Sequence, residues 1–225
     1  MISIVIPTLN AAAYLPRCLA SLVPGVMDGL VREAIVADGG SSDETRAIAE
    51  AAGCEIIDAP RGRARQMLAG AAVARGDWLL FLHADTALAP EWVAAARTLI
   101  ARQEPLRAAA FRFAFDDDSA AARSVTRWTR LRGQMLKLPY GDQGLLISRR
   151  FYDALGGYRD IALMEDVDIV RRIGGARLAI LDANAVTSAD KYRRDGFSRR
   201  AWRNLGLMMR YLLGADPERL AKAYD

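Results

Sequence analysis

An α/β fold with a mostly parallel sheet is what this 225-residue chain predicts, and three observations carry it. Short apolar, β-branched runs recur without the polar alternation of a strand that has one wet face. Segments with helical periodicity lie between them. Glycine, proline and Ser/Asp punctuation falls where the two kinds of segment meet. Such alternation implies right-handed crossovers in one sheet, with helices on both of its faces.

The first strand is read at Ile2 to Ile6, closed by Pro7, with others at Ala34 to Ala37, Glu55 to Ile57 and Trp78 to Leu82. Helices are read at Tyr14 to Leu22, Ser42 to Ala52, Arg63 to Ala74 and Glu91 to Ala101. Ser41 and Glu44 have capping-box spacing, so Ser41, Asp43 and Glu44 read first as capping residues, ahead of ligand contact. Gly53 and Gly76 stand where helix C-terminal glycines belong, and Pro90 suits a first helical turn. After about residue 105 the alternation loosens. Phe111 to Phe115 alternates like a half-buried strand, and Gly144 to Ser148 and Arg177 to Asp182 are short strands. Asp116 to Asp118 reads as a solvated turn before a serine that can cap the next helix.

From Lys191 the chain is a basic, amphipathic helical tail. Trp202, Leu205, Met208 or Met209, and Leu212 share one face, with Arg194, Arg199, Arg200, Arg203 and Arg210 around it. Packing onto the domain is the favoured reading, and peripheral contact with a membrane surface is the alternative.

Hydrophobic residues make up 52% of the chain, enough for one sizeable core. A balance of 31 Lys+Arg against 27 Asp+Glu gives a net +4, which does not call for a nucleic-acid partner but suits small anions such as nucleotide phosphates. Cys18 and Cys54 suit reduced, buried thiols, and no zinc-type spacing occurs. The first apolar run ends at Pro7, too soon for a signal peptide, and no stretch approaches the roughly 20 apolar residues of a membrane span. A cytoplasmic protein is expected.

In an open parallel sheet, ligands bind outside the carboxyl ends of the strands. Here those ends carry "PTLN", "ADGGSSD", "DAPRGRARQ" and "HADT". No G-x-G-x-x-G follows the first strand and no G-x-x-x-x-G-K-[ST] occurs, so dinucleotide and P-loop chemistry lose support. A strand-end aspartate with Mg²⁺ or Mn²⁺ is the substitute means of holding phosphates. In "EDVDIVRRI", helical phase puts Asp166 on the inward face with Ile169, Val170 and Ile173, and Glu165, Asp168 and Arg172 on the outer one. An inward carboxylate at a helix start suits a cleft.

"SIVIPTLNAAAYLPRCLASL", "IVADGGSSDET", "GDWLLFLHADT" and "MEDVDIVRR", in this order and spacing, resemble a family 2 glycosyltransferase of the GT-A fold, from Met1 to about Arg172. "PRGRARQM" and "LPYGDQG" further resemble a bacterial subgroup associated with radical-enzyme and arsenosugar gene neighbourhoods. The resemblance implies a Rossmann-like mixed sheet, mostly parallel, in one domain: a nucleotide-sugar-binding half over 1–105, an acceptor-binding half over 106–190 and the tail over 191–225. It implies that Asp38 accepts a hydrogen bond from the nucleotide base, with Pro7, Thr8, Asn10 and Ala84 in the same nucleotide site. Asp85 would hold the metal on the diphosphate, and Asp166 would be the general base. His83, Asp142, Gln143 and Glu165 would face the donor or acceptor sugar. Arg61 and Arg63 add positive charge where the diphosphate is expected, at a helix N-terminus.

Two positions depart from the family pattern. His83 stands where an aspartate is usual, and Leu68 where an asparagine is common. His83 is read as a ribose hydrogen-bonding partner or a neighbour of the metal site, ahead of packing and of direct ligation. The expected activity is metal-dependent, inverting transfer from a UDP- or GDP-sugar to an acceptor hydroxyl whose identity the sequence leaves open. A sugar-phosphate nucleotidyltransferase is disfavoured because "PTLNAAAY" lacks a glycine-rich loop. A non-catalytic nucleotide-sugar-binding or membrane-docked protein is the third reading.

Overall fold

The computed structural model describes the chain apart from Pro105, Lys137, Leu138, Tyr140 and Asp225, so Leu138 and Tyr140 of "LPYGDQG" lie outside the described residues. Strands β1 (Ile2–Thr8), β2 (Val31–Asp38), β3 (Glu55–Asp58) and β4 (Trp78–Phe81) are parallel neighbours in the order β3-β2-β1-β4. The sheet continues through β5 (Thr86–Leu88), β6 (Ala108–Phe115), β7 (Leu145–Ser148) and β8 (Leu178–Thr187) in the order β7-β6-β8-β5. There β7 is antiparallel to β4 and β6, β8 is parallel to β6, and β5 is antiparallel to β8.

The helices are α1 (Leu15–Met27), α2 (Thr45–Ala51), α3 (Arg63–Val73), α4 (Trp92–Ala101), α5 (Ala120–Leu136), α6 (Arg149–Ala154), α7 (Glu165–Ile173), α8 (Asp190–Asp195), α9 (Phe197–Leu212) and α10 (Pro217–Tyr224). Alternate side chains of each inner strand serve opposite faces. Ile4, Ile6 and Leu80 pack with Leu15, Leu22, Trp92 and Leu99 of α1 and α4, while Val5, Leu79 and Ile147 pack with Met67, Phe151 and Ile169 of α3, α6 and α7. Covering both faces explains why the inner strands are continuously apolar.

Several local expectations are corrected. β1 continues through Pro7 to Thr8, whose carbonyl accepts the Gly39 amide at 2.9 Å. α1 passes through Pro24 to Met27, because Gly25 lets the Trp92 indole lie against the helix: a Cβ there would come within 2.3 Å of that ring. Gly76 is no helix cap. It is a close approach, where a Cβ would stand 2.6 Å from the Ser3 amide nitrogen, and its own N–H donates to Ser3 Oγ at 2.7 Å. Ser41 does not cap α2, which starts at Thr45; Asp43 does that work by accepting the Thr45 amide at 3.0 Å.

The Asp116 to Asp118 segment is a solvated turn only in part: Asp118 is exposed and Ser119 caps α5 by accepting the Ala122 amide at 3.1 Å, but its first two residues are engaged. Asp116 pairs with Arg17 at 2.8 Å and accepts the Ala189 amide at 2.8 Å, and Asp117 pairs with Arg193 at 2.7 Å, so the segment clamps the start of the tail. The tail packs onto the domain, as favoured, and Leu205, Met208 and Leu212 of the expected face pack inward. Leu207, Met208 and Leu220 bury against Leu163, Met164 and Val167, whereas Trp202 is 71% exposed. The face of α7 read as outer is thereby covered. Asp168 is buried and paired with Arg172 at 2.6 Å and Arg159 at 3.2 Å, and it accepts the hydroxyl of Tyr211 from α9 at 3.3 Å.

Candidate active site at the strand ends

The loops leaving β1, β3 and β4 open into one cavity of about 700 Å³, closed on its far side by the start of α7 and by the tail. Asn10 turns the chain after β1 with φ 51°, a left-handed geometry that asparagine tolerates. Its Oδ1 accepts the Ser42 amide at 2.9 Å, which ties the β1 loop to the β2 loop. Gln66 of α3 is buried behind them and donates to Ala37 O at 3.0 Å.

His83, Ala84 and Asp85 form the turn between β4 and β5, held by Thr86 N–H donating to His83 O at 3.1 Å and Ser188 N–H to Asp85 O at 2.9 Å. Burial, with the Arg63 charge adding to it, pushes the His83 imidazole down to about 4, so this ring is neutral at pH 7. Burial raises Asp85, but Lys191, with its Nζ 3.3 Å from Oδ2, outweighs it and holds the carboxyl below the usual range.

Across the cavity Met164 takes φ 69° and starts α7. Asp166 follows with both oxygens on backbone donors, Gly141 N–H at 2.7 Å and Val167 N–H at 2.8 Å. His83 and Asp166 meet over Gly141, where a Cβ would stand 2.7 Å from His83 Nε2 and 3.4 Å from Asp166 Cβ. Arg63, opening α3, reaches Glu165 Oε1 at 3.2 Å and joins the two helix starts. Burial pushes the Glu165 carboxyl up against the pull of that arginine.

Pro7, Thr8, Asn10, Arg61, Arg63, His83, Ala84, Asp85, Asp142, Glu165 and Asp166 all line the cavity. Two expected residues do not. Gln143 is buried and donates to Phe111 O at 2.9 Å, turned into the sheet. The Asp38 side chain is fully enclosed, because Thr8 Oγ1 at 3.1 Å, the Ser41 amide at 3.0 Å and Arg46 at 3.3 Å take its oxygens. Burial raises this carboxyl, yet those hydrogen bonds prevail and leave it below the usual range.

Sequence reasoning missed Lys191, Tyr14, Ser188 and Asn204. Lys191 stands 106 residues from the carboxylate it pairs with, a distance no local motif can span. Tyr14 donates to Asp190 Oδ2 at 3.0 Å, so α1 and the tail meet across the cavity mouth. Asn204 donates to the Tyr192 hydroxyl at 3.2 Å, with its Oδ1 buried and without a hydrogen-bond partner among the described residues.

A mixed, mostly parallel sheet with helices on both faces and a polar cavity at the strand ends is the GT-A arrangement. Residues 3–163 match the family Glycosyl transferase family 2, and the chain belongs to it. A PGL/p-HBAD biosynthesis glycosyltransferase of Mycobacterium tuberculosis (strain ATCC 25618 / H37Rv) is 43% identical over 95 residues, 39% of this chain and 36% of that protein. Glucosyl-3-phosphoglycerate synthase of the same strain is 32% identical over 93 residues, 37% of this chain and 28% of that protein. The matched segments thus span about a third of these curated relatives. Among solved structures, M. tuberculosis glucosyl-3-phosphoglycerate synthase in complex with Mn²⁺, UDP and glucosyl-3-phosphoglycerate superposes with TM-score 0.60 at 21% identity, covering 91% of this chain and 78% of that one. S. aureus TarS 1-349 gives TM-score 0.66 at 14% identity, covering 93% and 65%. At these identities the likeness is one of fold.

Proposed function

We propose that this protein transfers a sugar from a nucleoside-diphosphate sugar, in the first instance a UDP-sugar, to an acceptor hydroxyl with inversion at the anomeric carbon. The observation that carries this reading is the pair of carboxylates, Asp85 and Asp166, facing one 700 Å³ cavity from different elements. The resemblance of "PRGRARQM" to the radical-enzyme and arsenosugar neighbourhood subgroup belongs to the same proposal.

Asp85 fits a divalent ion. Its carboxyl is held ionised in the cavity wall, beside open space for a ligand. One carboxylate plus substrate phosphate oxygens is the ligand set that Mg²⁺ or Mn²⁺ ordinarily takes. When bound, the ion would supply Lewis-acid stabilisation of the departing diphosphate. Glucosyl-3-phosphoglycerate synthase, the related structure, contains Mn²⁺ with UDP.

The chain's own residues divide the remaining work. Pro7, Thr8 and Asn10 form the nucleoside wall, and Arg61, Arg63 and Lys191 bring positive charge to the diphosphate. Asp166 takes the proton of the acceptor hydroxyl as that oxygen bonds to the anomeric carbon and the bond to the diphosphate breaks. Gly141 and Val167 amides orient its carboxylate, and the neutral His83 ring beside it withholds a second positive charge from the base. A base and a leaving group on opposite sides of one carbon give inversion in a single step.

Incubation with a panel of UDP- and GDP-sugars, with and without Mn²⁺ or Mg²⁺, tests the reading. Metal-dependent release of nucleoside diphosphate and a product anomer opposite to that of the donor are expected. If no donor is turned over and none raises the melting temperature, the proposal fails.

A further inference from the structure

Helix α9 has two faces with separate duties. Its inner face lines the cavity through Arg200, Asn204 and Leu207. Its outer face carries Trp202 at 71% exposure, Met209 at 47% and the closing residue Leu213 at 83%. At 100° per residue these three fall in one row, at i, i+7 and i+11. Arg199, Arg203 and Arg210 form a second row along one flank of it, all exposed. Neighbouring α5, which packs on α9, exposes Trp128 and Leu131 beside Arg127.

Neither helix contains an acidic residue, although Asp and Glu supply 27 of the chain's 225 positions. Arg203 also pairs with Asp195 of α8 at 3.6 Å, which leaves Arg199 and Arg210 as the outward charges of the row. Water-soluble surfaces interleave both signs of charge, and large exposed aromatics beside such arginines are uncommon in them. An apolar row flanked by arginines, on a helix already anchored through its other face, has the chemistry of an interfacial helix: tryptophan suits the headgroup boundary and arginine pairs with lipid phosphate.

We infer that the outer face of α9, with the exposed Trp128 and Leu131 of neighbouring α5, seats the protein on an anionic lipid bilayer. The charge is complementary, since neither helix carries an acid and the nearby Asp195 and Asp117 are already paired with Arg203 and Arg193, and the exposed aromatics have the depth preference of that boundary. The helix is about 10–12 Å across. Docking therefore holds the cavity mouth, built from the opposite face of the same helix, one helix diameter from the lipid surface.

Flotation of the full-length chain with vesicles of phosphatidylcholine, and with vesicles of equimolar phosphatidylcholine and phosphatidylglycerol, tests it. Binding to the anionic vesicles alone, weakening as salt is raised, is expected. Trp202→Glu with Met209→Glu should reduce that binding at least tenfold, and so should Arg199→Gln with Arg210→Gln, while melting temperature and donor-induced stabilisation stay as in the parent. Absence of binding to anionic vesicles at low salt overturns the inference, as does binding undiminished in both double variants. Sedimentation without lipid supplies the third arm: a dimer that the same substitutions dissociate would make a second copy the occupant, and the membrane assignment wrong.

Discussion

In the parallel stretch β3-β2-β1-β4, cavity residues come from the end of a strand or the loop that directly leaves it: Thr8 at the end of β1 and Asn10 after it, Arg61 after β3, His83 and Asp85 after β4. In the mixed stretch β7-β6-β8-β5 they arrive otherwise. Asp142 sits in a short 3-10 turn, Asp166 at the start of a helix whose position depends on the tail, and Lys191 in the tail itself. One part places chemistry by chain connectivity, the other by tertiary packing. Disturbing the first should cost stability before activity, and disturbing the second activity before stability.

The sharpest test of that contrast is Asp166→Asn. An amide cannot take a proton, so turnover should fall by about 10² to 10⁴, the usual contribution of a positioned base. Donor-induced thermal stabilisation should persist, since the nucleotide wall belongs to the parallel part. Near-normal turnover in this variant would remove Asp166 from its role.

Adding one methyl on each side makes the comparison direct. A Cβ at Gly141 would clash with His83 at 2.7 Å, so Gly141→Ala should push that loop and the ring apart and disturb the Gly141 amide that holds Asp166; a displacement of about 1 Å can lower the rate on the order of 10²-fold. A Cβ at Gly70 meets Val5 Cγ1 at 2.4 Å in the core, so Gly70→Ala should cost about 1–3 kcal/mol by overpacking and leave activity per folded molecule intact. Denaturant melts and turnover on both variants read the two effects. Equal losses of stability and rate in each would erase the distinction.

The same division explains what could be read from the sequence. Apolar runs identified the inner strands because both faces are covered, and strand ends identified most of the cavity because connectivity put them there. β5 escaped notice because it has only three residues, Thr86–Leu88, and pairs at the sheet edge. Gln143 and Asp38 do not line the cavity, because polarity near a strand end does not say whether a side chain faces the cavity or satisfies the backbone around it. The periodicity of α9 gave most of its inward face, Leu205, Met208 and Leu212, but included Trp202 and missed Leu207, since two apolar rows compete there and the docking surface of Leu163, Met164 and Val167 decides between them. Lys191 had no local signal at all.

A smaller effect is expected at that lysine. Lys191→Met removes the cation 3.3 Å from Asp85, so Mn²⁺ should bind the donor-free protein more tightly. Partly exposed pairs of this kind contribute roughly 0.2–1 kcal/mol, a gain of up to about fivefold. UDP affinity should drop in the same variant, because one positive charge leaves the proposed diphosphate site. Calorimetric titration of each ligand separates the two trends, and parallel changes in both would contradict the double use of Lys191.

The smallest expected effect concerns the two strand-end aspartates, Asp38 and Asp85, which look alike in the sequence. Asp38 is enclosed and held below the ordinary carboxylate range by Ser41, Thr8 and Arg46 despite its burial. A carboxyl depressed in the folded state contributes stability that is fully present above its unfolded value of about 3.9 and is lost as pH falls through its folded value. Melting temperature should therefore decline below about pH 4, and less steeply in Asp38→Asn, which has no such group to protonate. Other depressed carboxylates, Asp117 at about 2 among them, titrate equally in both proteins and drop out of the difference. UDP affinity at pH 7 supplies the second reading: it should change little if Asp38 only braces the β1 and β2 loops. A large loss of UDP affinity, with identical pH slopes, would instead mean that the enclosing shell opens and that this aspartate meets the nucleotide base.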